Sequence, residues 1–226
     1  MTRVRVAVLA SGGGSNLQAL VDYFAALGHR RVADIVLVAS NRPDAGALVR
    51  AQTAGIPVAR IVSPRADNGE ALLPLLERNS IDMVVLAGYL QLIPTDVTQA
   101  FARRMVNVHP APLPRFGGAG MYGRHVHRAV LAAGAMQSGP TVHHVDDQYD
   151  HGASIAHWPV PVLPGDDEHT LAARVLRAEH LLLPRAVQAS AAAAPMPASL
   201  ILPLFDPVLR DDQLARIVDD WFDVSP

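Results

Sequence analysis

Val4-Arg5-Val6-Ala7-Val8-Leu9-Ala10-Ser11-Gly12-Gly13-Gly14-Ser15-Asn16-Leu17 is the stretch whose reading decides the fold. Val4 to Leu9 is short, β-branched and mostly apolar, as a buried strand requires. Glycines break the run at once, and Leu17, Leu20, Val21 and Phe24 then recur at helical spacing. Strand, glycine loop and helix therefore follow one another.

The same rhythm continues downstream. Ile35 to Val38 reads as a strand, Ala45 to Ala54 as a helix and Val58 to Val62 as a third strand. A polar loop through Pro64-Arg65-Ala66-Asp67-Asn68 leads to a helix from Glu70 to Arg78. Met83 to Leu86 is the fourth strand, Thr95 to Arg104 a helix with Thr95 as its cap, and Met105 to Val108 the fifth strand. Strands alternating with helices predict an α/β fold with a doubly wound, mostly parallel sheet.

After Pro110 the pattern changes. Pro112, Pro114, Gly117, Gly118, Gly120 and Gly123 make a long irregular loop, and long loops in compact domains are usually functional or disordered. A helix from about His125 to Ala133 follows. Thr141 to Val145 and Ala153 to Val162 read as strands flanking an acidic loop, which adds antiparallel strands to the C-terminal half. A helix from Asp167 to Gln188 has acidic residues at its start, where the helix dipole favours them. Small residues from Ala189 to Ala198 make a linker, and Leu214, Ile217, Val218 and Trp221 share one helical face beyond it.

Composition narrows the function classes. At 226 residues with a formal charge of -2, the chain suits one domain with or without an appendage. No basic surplus points to nucleic acid. Cysteine is absent, which excludes disulfides and thiol chemistry and fits a cytoplasmic protein. The apolar run after the N-terminus is too short for a signal peptide. Ala191 to Phe205 is broken by Pro195, Pro197 and Pro203, so no membrane span is expected.

The glycine loop allows close backbone approach to an anion at a helix N-terminus. It lacks the lysine of a Walker A loop, and Leu17 stands where both the dinucleotide pattern and a nucleophile elbow need glycine. A phosphate-monoester cradle using Ser15 and Asn16 remains, beside a tight turn that binds nothing. The second group of interest is Asn107-Val108-His109-Pro110 with Asp147-Gln148-Tyr149-Asp150. Residues two apart on a strand face the same way, so Asn107 and His109 would share a pocket at the strand's C-terminal end, where open α/β sheets bind ligands. Amide, imidazole and carboxylate are the groups an acyl or formyl transfer needs: an oxyanion donor, a proton carrier and, in Asp150, a charge that raises the histidine pKa. Asp150 also reads as a turn residue. His125-Val126-His127 and His143-His144 lack the carboxylate or cysteine spacing of a known metal motif, so no metal is expected. Glu179, inside the late helix, reads as a solvated charge.

Four blocks in order carry a resemblance: Ser11 to Gln18, Val85-Leu86-Ala87-Gly88-Tyr89-Leu90, Asn107 to Pro114, and Asp147 to Gly152. Together they resemble the phosphoribosylglycinamide formyltransferase family over roughly residues 4 to 190. The resemblance implies a catalytic domain over 1–190, with a phosphate-binding half (1–104) and a folate and catalytic half (105–190), then a linker and helical extension over 191–226. It implies formyl transfer from 10-formyltetrahydrofolate to the amine of glycinamide ribonucleotide, in de novo purine biosynthesis, by a monomer or homodimer. Gly14, Ser15 and Asn16 would hold the ribonucleotide phosphate, and Leu176, Arg177, Ala178 and Glu179 the glycinamide end. Leu90, Gln91, Leu92 and Ile93 would grip the pterin with Asn107 and with Asp146, Asp147, Gln148, Tyr149 and Asp150. Asn107, His109 and Asp150 match the family's oxyanion donor, general acid and pKa-raising residue.

Some positions depart from the pattern. Gln91 stands where arginine is common, and Gly69 precedes Glu70 where another arginine is expected, with Arg65 nearby. The insert from Phe116 to Gly123 lengthens the loop after the catalytic strand. The rival readings are a formyltetrahydrofolate hydrolase, which would carry an extra N-terminal domain before the first strand, another folate-dependent formyltransferase, and a non-catalytic phosphate-ligand binding module. Of the second class, a tRNA formyltransferase would need a basic C-terminal domain that the weakly acidic tail does not supply.

Overall fold

A computed structural model of the chain describes residues 2–61, 72–192 and 199–222. The expected helix start at Glu70, the positions Arg65 and Gly69 and most of the small-residue linker lie outside these. The chain divides into two compact units, Met1–Asn107 with Val145–Asp147, and Val108–His144 with Gln148–Pro226.

The first unit alternates strictly. Its elements are β1 (Val4–Leu9), α1 (Ser15–Leu27), β2 (Ala33–Ser40), α2 (Gly46–Thr53), β3 (Val58–Arg60), α3 (Leu72–Arg78), β4 (Met83–Leu86), α4 (Thr95–Ala100) and β5 (Met105–His109), whose last two residues belong to the second unit. Every pairing in the order β5-β4-β1-β2-β3 is parallel. The strands carry near-continuous apolar runs because both faces are covered: Val6 to Leu9 and Met83 to Leu86 are buried throughout. The chain runs outward from β1 through β2 to β3, then returns to place β4 on the other side of β1. That reversal is the switch point at which open α/β sheets leave a crevice beyond the strand ends. In register, Leu9 lies beside Leu86 and Leu86 beside Asn107, so the glycine loop, the 87–94 loop and Asn107 all sit at that edge.

The second unit mixes directions. β7 (Thr141–His144) and β8 (Ser154–His157) are antiparallel, and β10 (Leu200–Ile201) adds in parallel to β8. β6 (Gln137–Ser138) and β9 (Val160–Pro161) form a separate antiparallel pair. The helices are α5 (Arg124–Ala132), α6 (Glu168–Ala191) and α7 (Asp211–Phe222). The sequence starts α6 with a capping box: Asp167 Oδ1 accepts from the N–H groups of His169 and Thr170, and Thr170 Oγ1 accepts from the Asp167 N–H.

The α/β class and the mixed C-terminal half agree with the sequence, and several element limits do not. Thr95 is the first residue of α4 rather than its cap. Pro94 occupies the cap position without a side-chain bond. The same helix stops at Ala100, and Arg103 adopts a left-handed φ of 60° in the turn before β5. The single strand expected from Ala153 to Val162 is split into β8 and β9, because Pro159 and Pro161 lack the N–H a continuous ladder needs. α6 continues through Ala189 to Ala191, since alanine is the best helix former.

The tail is built into the second unit. α7 buries Leu214 and Val218, while Trp221 of the same apolar stripe stays half-exposed. Phe205 is buried edge-on against Trp158, with ring centroids 5.2 Å apart. Arg185 of α6 makes a forked pair with Asp219 of α7, at 2.6 and 3.2 Å. Phe205→Ala should therefore lower the unfolding free energy by about 3–5 kcal/mol in denaturant titration. A loss below about 1 kcal/mol would mean that the tail adds little to the fold.

Candidate active site

The glycine loop is shaped by α2. Gly14 adopts φ 77° as the N-cap of α1, and a Cβ there would lie 2.6 Å from Ala47 Cα, so only glycine fits. The Ala47 N–H donates to Gly12 O at 3.1 Å and Arg50 Nε to Gly13 O at 2.8 Å. A peptide's N–H points opposite to its C=O, so these bonds turn the N–H groups of Gly13 and Gly14 away from α2. α1 opens at Ser15, where the first N–H groups of a helix have no intrahelical acceptor. The loop thus has the form of an anion cradle.

Ser11 ties this loop to its neighbours. Its buried hydroxyl donates to Asn41 Oδ1 at 2.6 Å and accepts from the Leu90 N–H at 3.1 Å, while its own N–H donates to Gly88 O. Leu90 is therefore fixed by its backbone with its side chain exposed. Gln91 is also exposed, Leu92 half-buried and Ile93 buried.

In the second unit, His109 and Asp150 come together. His109, at the end of β5, is 3% exposed, and its Nδ1 lies 3.4 Å from Asp150 Oδ2. On β5, Asn107 precedes His109 by two positions, so the two side chains leave the same face of the strand. His109 Nε2 lies 2.8 Å from Phe116 O. A carbonyl only accepts, so this contact is a hydrogen bond when Nε2 carries a hydrogen, and Nδ1 is the nitrogen turned to the carboxylate. Asp150 is also approached by other groups: the Gly118 N–H donates to Oδ2 at 3.1 Å, and His143 Nε2 lies 3.5 Å from Oδ1. Asp150 adopts a left-handed φ of 54°, which aspartate tolerates better than most residues.

Burial is the largest influence on His109 and pushes its pKa below the usual histidine value. The Asp150 charge and the Phe116 carbonyl oppose that, and His143 adds to it. The expected raising effect of Asp150 is present, but the net direction is down because desolvation wins. Burial raises Asp150, yet the His143 bond, the His109 charge and the Gly118 N–H together leave it below the usual carboxylate value. His127 on α5 is lowered to about 4 by burial and by His109, so it is neutral at physiological pH.

The remaining expected positions differ in exposure. Asp146 is half-buried; Asp147, Gln148 and Tyr149 are exposed. On α6, Leu176 is at the surface and Ala178 is buried. Glu179, read as a solvated charge, is only 8% exposed, because it lies on the buried side of α6. Arg177 is turned to the tail: Nε and Nη2 reach Asp211 Oδ1, Nη2 also donates to Leu209 O and Nη1 to Pro207 O. His143, weighed only as a metal ligand in the sequence, instead touches Asp150, and its Nδ1 lies 2.7 Å from His144 O. Its alternation with Thr141 on an apolar strand was the available signal. Nothing in the sequence marked the Phe116 carbonyl or the Gly118 N–H. Among the described residues no group of three or more His, Asp or Glu is arranged to hold a metal ion. No helix among them is long and apolar enough to cross a membrane.

The formyl transferase family profile matches residues 4–187. The chain belongs to the formyl transferase family. A chloroplastic phosphoribosylglycinamide formyltransferase of Vigna unguiculata is 43% identical over 193 residues, 83% of this chain and 61% of that protein. The chain thus spans less than two thirds of the length of this relative. The phosphoribosylglycinamide formyltransferase of Escherichia coli (strain K12) is 36% identical over 185 residues, 80% of this chain and 84% of its own. The crystal structure of a phosphoribosylglycinamide formyltransferase from Brucella melitensis superposes with a TM-score of 0.75 at 39% identity, covering 87% of this chain and all of that one. A formyltetrahydrofolate deformylase from Pseudomonas syringae, 24% identical with a TM-score of 0.72, shares the fold.

For this member of the family the electrostatics give a signed expectation. Asp150→Asn removes the negative charge that raises His109, so the histidine pKa falls further below its ordinary value. The limb of the kcat/KM pH profile that reports protonated His109 should move to lower pH. A limb that stays in place would show that another group titrates there.

Proposed function

We propose that this protein transfers the formyl group of 10-formyltetrahydrofolate to the amine of glycinamide ribonucleotide, as a cytoplasmic enzyme of purine biosynthesis. The observation that carries the reading is the buried His109–Asp150 pair at 3.4 Å, with Asn107 two positions earlier on the same strand. The relatives named above support the choice of acceptor.

In the proposed reaction the amine nitrogen bonds to the formyl carbon, and the bond from that carbon to the folate nitrogen breaks. The amine loses one proton and the folate nitrogen gains one, so the step is balanced without a metal or redox partner. Asn107 donates to the developing oxyanion. His109 supplies the proton for the leaving nitrogen, and Asp150 stabilises the imidazolium. Gly14, Ser15 and Asn16 bind the ribonucleotide phosphate. Leu90, Gln91, Leu92 and Ile93 bind the pterin with Asp146, Asp147, Gln148 and Tyr149. Buried Glu179 faces the amine end of the acceptor, with Leu176 and Ala178 alongside. Arg177 acts through the tail that holds it.

A hydrolase reading differs in the acceptor, which would be water. Incubation with 10-formyltetrahydrofolate with and without glycinamide ribonucleotide separates the two. Formylated ribonucleotide is expected, in amounts that match the folate consumed. Formate released at the same rate without the ribonucleotide would overturn the proposal. His109→Ala should lower kcat by about 10²–10⁴-fold and Asn107→Ala by about 10²–10³-fold. A purely binding protein would show no turnover to lose.

A further inference from the structure

The insert after the catalytic strand touches both members of the acid pair through its backbone. Phe116 O accepts the His109 Nε2 hydrogen at 2.8 Å, and two residues later the Gly118 N–H donates to Asp150 Oδ2 at 3.1 Å. That carboxylate oxygen is the one 3.4 Å from His109 Nδ1. The segment is itself anchored. The Phe116 N–H donates to Pro112 O at 3.1 Å, the Gly117 N–H to Pro114 O at 3.3 Å, and the Phe116 ring is buried. Between the two tethers, Gly117 lies against Asp150: an added Cβ would meet Asp150 Cβ at 2.9 Å and Leu113 Cδ2 at 2.5 Å. The objection to a side chain is steric, and the Asp150 Cβ cannot withdraw without moving its backbone.

We propose that Phe116-Gly117-Gly118 is a backbone bracket that fixes where the His109 proton resides, and that Gly117 is the positioning residue on which it depends. The proposal rests on the formyl-transfer reading for its consequence in catalysis, not for its geometry. The Phe116 carbonyl holds one hydrogen permanently on Nε2, so the exchangeable proton is the one on Nδ1, facing Asp150. The Gly118 N–H stabilises the charged form of Asp150, so a proton taken up between the two groups goes to the imidazole. An amide and a carbonyl two residues apart thus set both the tautomer and the site of protonation. They can do so only while residue 117 has no side chain to separate the loop from Asp150.

The decisive measurement is a nitrogen-15 NMR titration of the His109 imidazole in the wild-type protein, which needs neither substrate nor a variant. Nε2 should stay protonated across the titration while Nδ1 alone gains and loses its proton. A neutral form with its hydrogen on Nδ1 would overturn the proposal. In Gly117→Ala the His109 titration should move in the same direction as in Asp150→Asn, and kcat should fall about tenfold to a hundredfold, with both KM values within about twofold of wild type. Adding Leu113→Ala to Gly117→Ala removes the other clash and should not restore kcat. Full rescue would show that Leu113 was the obstacle and would overturn the role assigned to Asp150. If the wild type fails to transfer formyl groups yet shows the Nε2–H tautomer, the functional reading falls and the bracket stands. Formyl transfer with the opposite tautomer overturns the bracket and leaves the functional reading in place.

Discussion

A carboxylate placed beside a buried imidazole is the constraint on which the site depends. Removing His109 from water costs its charged form more than Asp150 alone returns, as the net downward direction of its pKa records. An imidazole so deeply buried would be held neutral without compensation. The chain supplies that compensation from several sources at once: the Asp150 charge, the Phe116 carbonyl and the hydrogen bonds that keep Asp150 ionised. Each is short-range and directional, so each ties the chemistry to the local course of the backbone around residues 116–118 and 150. The left-handed conformation of Asp150 fits this picture, since strained backbone persists where surrounding contacts over-determine it.

The first unit meets a different demand with a different device. The loop after β1 frees N–H donors from competing carbonyls by committing those carbonyls elsewhere. Gly12 O and Gly13 O are both taken by α2, one through a backbone amide and one through Arg50. The crowding of Gly14 against Ala47 follows from the same close approach. Ser11 then links this loop to Leu90 and Asn41, so three connections at the strand ends share one buried hydroxyl.

What the sequence disclosed follows from which atoms it specifies. Periodicity and glycine placement exposed the alternating elements of the first unit, because an apolar strand followed by a glycine turn and a 3.6-residue stripe has few other solutions. The pairing of His109 with Asp150 could be named from residue types alone. The contacts that complete it could not, since Phe116 and Gly118 act through a carbonyl and an amide of the main chain, which residue type does not distinguish. His143 was visible as a histidine but not as a neighbour of Asp150, because its role depends on strand register. Arg177 and Glu179 show the same limit on a helix. Two positions place them about 200° apart, and only the packed structure reveals that the tail takes the first while the second is buried.

The tail gains its importance from that division of α6. Arg177 could satisfy its guanidinium with substrate or with protein, and here Asp211, Leu209 O and Pro207 O take its donors while the Phe205 ring lies beneath it. Phe205 in turn packs on Trp158, just beyond β8, and Arg185 is drawn to Asp219 eight residues along the same helix. Arg177 and Arg185 of α6 are therefore both held by residues that follow the family match over residues 4–187. Glu179 lies between those two anchors. A helix pinned on either side of a buried carboxylate has little freedom to rotate or slide, so the tail steadies the stretch of α6 that carries Glu179. Residues beyond the family match at 187 thus become part of the framework behind the proposed acceptor end of the site.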